Sequence, residues 1–421
     1  MKLIKSIQLF TAFILIVQPF HLISAQTNYC LDAIDSIDLE KRMLTPCKYV
    51  KEAKRSISKR EDNKNMFEIS DFRCTSKVSD ECEKVKNTFE TAGQIISDAF
   101  YFNTPVLVNV SFFSFCDELK DCPNTTVHLG AASPKRSILM GDDDDLNRFY
   151  PQALVKQFNL ESHPEFLPSD ITANFNTDVK WYFGGKDPIK KNELELLSIV
   201  LHELIHGLGF RSNWGPWVGA EGVIPYPIFT DGSNKTLIFN GFIEYCFDKY
   251  LIHLKSDCNH KSIPLVTKEF NKFAGGPGSK FNTTTEFILE LKNSTQYNYY
   301  GKKMLDITTT AKDLGFQTNA EDIVILETSY KLFSQGVSVV HVDQSTYQNS
   351  SDFLMKPSFS FGDTLEKIIN DFGDSNYGPI GPKLRKVMET LGYESKNNPN
   401  PYRPSEPKSL GFPLTTVSDV S

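Results

Sequence analysis

The sequence predicts an α+β fold built around one buried helix, and three observations carry that reading. Apolar residues at 196, 197, 200, 201, 204, 205 and 208 recur at helical spacing. Apolar runs at 105–113, 171–176 and 179–183 have strand character. A helical pattern from Gly381 to Leu391, stopped by Gly392, closes the ordered part of the chain. At 421 residues there is room for two or three domains, or for one large domain with insertions and tails. A net charge of −7 and a pI of about 5.7 leave no basic footprint for nucleic acid or an anionic membrane surface. The 32 phenylalanines fit a sizeable core.

Residues 1–25 read as a removable signal peptide. Lys2 and Lys5 precede the apolar run Leu9 to Val17, and Ile23-Ser24-Ala25 offers a cleavage site. A secreted, extracellular protein is expected, with no transmembrane anchor once that segment is removed. The cysteine count agrees, being even at eight. Cys116–Cys122 and Cys246–Cys258 are expected as local loop staples, and the other pairings stay open. Sequons at Asn109, Asn124, Asn234, Asn282, Asn293 and Asn349 are candidate glycan sites.

Residues 26–92 are polar, with few strand signals. Their dibasic pairs Lys41-Arg42, Lys54-Arg55 and Lys59-Arg60 allow two readings: a prosegment cut at Arg60 or nearby, or a small disulfide-tied helical lead-in. The main domain is expected over 93–395. An amphipathic helix is expected at Glu90–Phe100, a turn at 129–134 and a further helix at Tyr150–Phe158. The run Asp142 to Asp145 lacks calcium-loop spacing and reads as a solvated turn. From about 213 to 335 the chain is rich in Asn, Lys, Thr and Gly. This stretch reads as an insertion with one clear helix, Phe242 to Leu254. Order resumes at 336–343, and 396–421 reads as a disordered tail.

The helix at 196–208 carries His202-Glu203-Leu204-Ile205-His206-Gly207-Leu208-Gly209-Phe210. Residues four apart share a helix face, so His202 and His206 can both offer a ring nitrogen to one Zn²⁺. Glu203 then stands beside the metal as a general base for water. Gly207 and Gly209 are expected to end the helix through a left-handed turn. A catalytic zinc needs a third protein ligand. Position 212, where one large group of zinc proteases places it, is Ser212. The candidates are Glu244, which begins a Glu-x-x-x-Asp ending at Asp248, and His253, His260 and His341. Three functions follow from these residues. The first is a zinc endopeptidase acting on protein or peptide substrates. The second is a gluzincin-type peptidase using Glu244. The third is a secreted non-catalytic binding or adhesion module on a protease scaffold.

His341 is followed after an interval by Asp352-Phe353-Leu354-Met355-Lys356-Pro357. HELIHGLGF, a distant histidine and a DFLMKP turn together resemble the leishmanolysin-type metzincins and their secreted bacterial and fungal relatives. Leu129-Gly130-Ala131, Gly378-Pro379-Ile380-Gly381-Pro382 and Leu391-Gly392-Tyr393 extend the resemblance over roughly 90 to 395. It implies one catalytic zinc ion held by His202, His206 and His341, with Glu203 as base and Met355 as the turn methionine beneath the metal. It also implies a zincin-like (metzincin) fold with a twisted mixed sheet, an active-site helix and a closing C-terminal helix. One edge strand, at 179–183, is expected to bind extended peptide.

Overall fold

The computed structural model describes residues 28–34, 41–51, 64–122, 127–255, 261–318, 322–374 and 376–405. The expected signal peptide, Asn124, Cys258, His260, the dibasic pairs at 54–55 and 59–60, and 406–421 of the expected tail lie outside them. The chain opens with a hairpin of β1 (Asn28–Ala33) and β2 (Arg42–Cys47), joined by the Cys30–Cys47 disulfide. Strand β3 (Phe67–Cys74), helix α1 (Glu81–Ala99) and strand β4 (Val106–Phe113) follow, with Cys74 bonded to Cys82. Next come β5 (Gly130–Pro134), β6 (Arg136–Gly141), β7 (Asn147–Pro151) and β8 (Ile171–Asn176). The motif helix is α2 (Leu196–Gly207); β9 (Ile224–Asp231), β10 (Leu237–Tyr245) and the closing helix α3 (Pro382–Leu391) complete the frame.

Two sheets share these strands. The smaller runs β3-β4-β8-β5, parallel except for β5, which is antiparallel and lies at one edge. In β4 the side chains alternate: Val106, Val108, Val110 and Phe112 are buried while Leu107, Asn109 and Ser111 are half-buried. The larger sheet runs from Trp214–Gly215 through β9, β10, β7, β6 and β1 to β2. Only Lys135 separates β5 from β6, so one length of chain passes from the edge of the smaller sheet into the middle of the larger. Helix α2 lies over β5 and β8 and packs against α1. A Cβ at Gly207 would stand 2.5 Å from Ile171 on β8, so this glycine sets how closely the helix approaches the sheet. Gly207 is still helical; Gly209, at φ +116°, makes the left-handed exit.

Several expectations are corrected. The described residues of 26–92 form four strands, β1, β2, β3 and Tyr49–Lys51, with no helix among them before the start of α1. Their signal was hidden because β2 is mostly half-exposed and is fixed by pairing and by a disulfide. Helix α1 begins nine residues before the expected Glu90, its polar first turns giving no apolar stripe. Residues 130–134 form β5 in place of a turn. The stretch 213–335 is well furnished with structure, including β9, β10 and helices at Pro264–Phe270, Thr284–Asn293 and Lys302–Thr308. Its rings gather around Phe239, Phe242, Phe273 and Phe287 in mutual edge-on and tilted contacts. The helix expected at 242–254 is instead the end of β10, a short turn at Cys246–Tyr250 and a strand at Leu251–His253. Asp142 is fully buried and not solvated; with Asp144 and Glu244 it surrounds the buried guanidinium of Arg148, and Lys249 binds it as well. Internal cations therefore neutralise that acidic loop.

Cys116 and Cys122 are bonded as expected. Cys246 is not stapled: it is a free, buried thiol whose pKa burial drives upward. Asn282, Asn293 and Asn349 are exposed, while Asn109 sits half-buried in the middle of β4. Asn234 lies on a short turn, Ser233–Lys235. Among the described residues no helix is long and apolar enough to cross a membrane.

Candidate metal centre

Helix α2 brings His202 and His206 to one face, one turn apart, and the segment before the Met355 turn brings His341 against both. The three Nε2 atoms stand 3.1 Å (His202–His341), 3.1 Å (His202–His206) and 3.3 Å (His206–His341) apart. Each opposite ring nitrogen faces a backbone carbonyl: His202 Nδ1 to Leu354 O at 2.8 Å, His206 Nδ1 to Phe210 O at 2.8 Å and His341 Nδ1 to Val337 O at 3.1 Å. A carbonyl only accepts, so every Nδ1 carries the proton and every Nε2 turns its lone pair inward. Burial holds His202 near a pKa of about 3, helped by His341, and His341 near about 4; His206 is driven down by the same cause. These rings are neutral near pH 7, as metal ligands must be. Three converging lone pairs repel one another unless a cation lies between them. Tetrahedral zinc with metal–nitrogen bonds of about 2.0–2.1 Å separates its ligand atoms by roughly 3.3–3.4 Å. The donor set therefore fits zinc. Among the described residues it is also the one cluster of three or more His, Cys, Asp or Glu side chains able to share an ion.

Glu203 is buried beside this cluster, and its Oε2 accepts the Ala132 N–H of β5 at 2.8 Å. Burial pushes its carboxyl up to about 8, against the pull of that hydrogen bond. This carboxylate thus ties the motif helix to strand β5.

The support for His341 is a web of backbone bonds. Glu327 N–H donates to His341 O at 2.8 Å, and Val342 N–H donates to Met355 O at 2.9 Å. The buried Glu327 carboxylate accepts from Ser329 N–H at 2.8 Å and Gln344 N–H at 3.0 Å, closing the segment on itself. Within it Val339 has φ 72°, a conformation that a β-branched residue adopts only under constraint. Met355 is fully buried in the turn Phe353–Met355. This turn meets the histidines through its main chain, Leu354 O accepting from His202 Nδ1 and Met355 O from the N–H of Val342, the residue after His341. Asp352 ties the turn to α3 by accepting Lys383 N–H at 2.7 Å and Leu384 N–H at 3.1 Å. At the other end of α3, Tyr393 Oη donates to Leu208 O at 2.8 Å, just past α2.

The other candidate ligands lie elsewhere. Glu244 is on β10, its Oε2 accepting from Arg148 Nε at 2.9 Å and its Oε1 bonded to Thr267. His253 pairs with Asp313 at 3.1 Å. Glu327 and Phe359, whose ring meets His202 edge-on at 5.3 Å, had no signal in the sequence, and Asp352 and Tyr393 stood there only as part of the family resemblance. The strand expected at 179–183 shrinks to Trp181–Tyr182 paired with Leu194–Glu195, and the sheet edge beside the centre is β5.

Fold and site together define a mixed α/β protein with a buried three-imidazole centre and an adjacent carboxylate. The profile of the SPBPB7E8-like family matches residues 26–410, and the chain belongs to that family. It is 29% identical over 376 residues to the "Uncharacterized protein PB7E8.01" of Schizosaccharomyces pombe, an alignment covering 82% of this chain and 65% of that relative. No solved structure matches the chain.

Proposed function

We propose that this protein is a secreted zinc-dependent endopeptidase of the leishmanolysin type. The observation that carries the reading is the convergence of three neutral Nε2 atoms beside the Glu203 carboxylate. His202, His206 and His341 would hold a zinc ion, which would supply the Lewis acidity needed to activate water near neutral pH. The positive charge of such an ion opposes the burial that raises the Glu203 carboxyl, so Glu203 would be ionised, take a proton from water and deliver it to the leaving amine. The outer edge of β5 lies against this carboxylate, so an extended peptide pairing along β5 brings its scissile carbonyl to the base. Strand pairing reads the main chain of the substrate, which suits a protease acting within polypeptides. The Met355 turn orients ligands and touches no substrate.

The test is casein cleavage by the zinc-loaded protein and by Glu203→Gln. The wild type is expected to cleave and to stop when a chelator is added. The variant is expected to retain one zinc per chain and to lose about 10²–10⁴-fold in rate. A folded, zinc-loaded wild type that cleaves no peptide library would favour a binding module on the same scaffold.

A further inference from the structure

Lys356 is the first residue past the Met355 turn, and its ammonium makes no hydrogen bond or ion pair with any described residue. The residue is only 6% exposed, yet its Nζ is not fully enclosed. That atom lies 5.9 Å from the centre of the Phe353 ring and 5.2 Å from that of Phe359. The two rings stabilise the charge in part but leave its N–H donors without strong acceptors. Burial works against the charge and Asp363 works for it. The Asp363 carboxylate itself pairs with Lys367 Nζ at 2.5 Å.

Phe359 fixes where this cation stands. Its ring meets His202 edge-on at 5.3 Å, and Lys356 lies over the same ring, so the ammonium and a ligand imidazole flank one side chain. The charge is felt at the centre: burial and His341 hold the His202 pKa down, and Lys356 adds to them. The chain after Lys356 is pinned as well. Ser358 Oγ donates to Gln344 Oε1 at 3.0 Å, Gly362 N–H to Glu193 O at 2.9 Å, and Leu365 N–H to Glu195 Oε2 at 2.7 Å, just before α2. A fixed, partnerless ammonium gains most from an anion that accepts its N–H groups. In a polypeptide that anion is a carboxylate. Extended chain spans about 3.3–3.6 Å per residue, so a carboxylate roughly one to three residues from the bond held at the centre comes within reach.

We propose that Lys356 is a specificity-determining residue that binds a carboxylate of the substrate close to the scissile bond, from an Asp or Glu side chain or from a free C-terminus. The assignment rests on the peptidase reading above and names what that site accepts. Lys356 binds the anion and takes no part in the proton transfers.

The test uses the whole zinc-loaded chain and casein-derived peptides with blocked ends, carrying Glu or its neutral match Gln at each position in turn. A further set carries Gln and a free C-terminal carboxylate. At one position the wild type is expected to cleave the Glu peptide with kcat/KM about 10- to 100-fold above its Gln match, mainly through KM. A preference for the free C-terminus over the blocked one would instead identify the terminal carboxylate as the source. Lys356→Met keeps the unbranched stem, removes the charge and should bring the ratio to about one; Lys356→Gln serves if that variant fails to fold. Calorimetry reads the same contact without catalysis. Glu203→Gln protein should hold the Glu peptide about 10- to 100-fold more tightly than the Gln one, and adding Lys356→Met should remove the difference. Equal handling of Glu, Gln and free C-terminus by the wild type would overturn the proposal. So would a Lys356→Met protein that loses equally on every peptide, the mark of a general structural role. A protein that cleaves nothing, yet shows the Lys356-dependent preference in calorimetry, would sink the peptidase reading and support the carboxylate site.

Discussion

His202 and His206 reach the centre from consecutive turns of α2, whereas His341 reaches it from a segment without regular secondary structure. On the helix, about 5.4 Å of pitch sets the spacing, and dense packing against β5, β8 and α1 sets the position. In the segment around His341, position depends on bonds to residues far apart in sequence: Glu327 on one side, Met355 on the other, with Val339 held at positive φ between them. The helix half is robust because many small contacts share its stabilisation. The loop half is placed by a few hydrogen bonds around His341.

Four substitutions test that contrast. The largest effect is expected from His341→Ala, which should leave the purified protein without stoichiometric zinc. Glu244→Ala should keep zinc while losing about 3–5 kcal/mol of stability, because it strips a partner from buried Arg148. Metal content and urea unfolding of the two proteins separate these roles; zinc retained by His341→Ala would remove His341 from the ligand set. Glu327→Gln should weaken zinc binding about 10–100-fold, measured by chelator competition, since it loosens the backbone behind His341. Gly207→Ala should leave zinc affinity nearly untouched and destabilise the fold by about 1–3 kcal/mol, because the added methyl meets Ile171. If Gly207→Ala costs more in zinc affinity than Glu327→Gln, the contrast between the halves is wrong.

A pH-dependent effect concerns the chain leaving α2, where Asp248 holds the Asn213 N–H at 2.9 Å. Burial, with Glu244 adding, raises its carboxyl from 3.8 to about 7. A raised folded-state pKa means that the native state binds the proton more tightly. The contribution is therefore full below the unfolded value and is lost as pH rises through about 7. Between pH 5 and 8 the loss is on the order of 2–3 kcal/mol. Asp248→Asn should flatten that part of the curve in denaturant titrations; an identical slope in the variant would show that Asp248 is already charged in the fold.

The same contrast explains what the sequence reveals. The helix half is readable because its determinants are local: two histidines at i and i+4, a glutamate between them and an apolar stripe. Strands β4 and β8 are readable for the same reason, by alternation. His341 gives no local sign, since the bonds that place it come from residues 14 positions before and 14 after. Only resemblance to a family pattern brought it forward. Strand β5 was hidden because Gly130-Ala131-Ala132-Ser133-Pro134 has the composition of a turn, and becomes a strand by pairing with β8. The Glu244 helix failed for a related reason. A buried Arg148 recruits Glu244 into β10, and tertiary charge pairing overrides the helical pattern of its neighbours.

The amino-terminal hairpin has a consequence for processing. Cys30 and Cys47 both precede the dibasic sites at 54–55 and 59–60, so their disulfide crosses neither. β1 nevertheless pairs with β6 inside the larger sheet, and Arg42 on β2 reaches Asn213, Trp217 and Tyr226. Nicking the chain after Arg60 would therefore produce a two-fragment complex held by β-pairing and stacking. Its smaller piece would dissociate slowly, and only under conditions that also loosen the larger sheet.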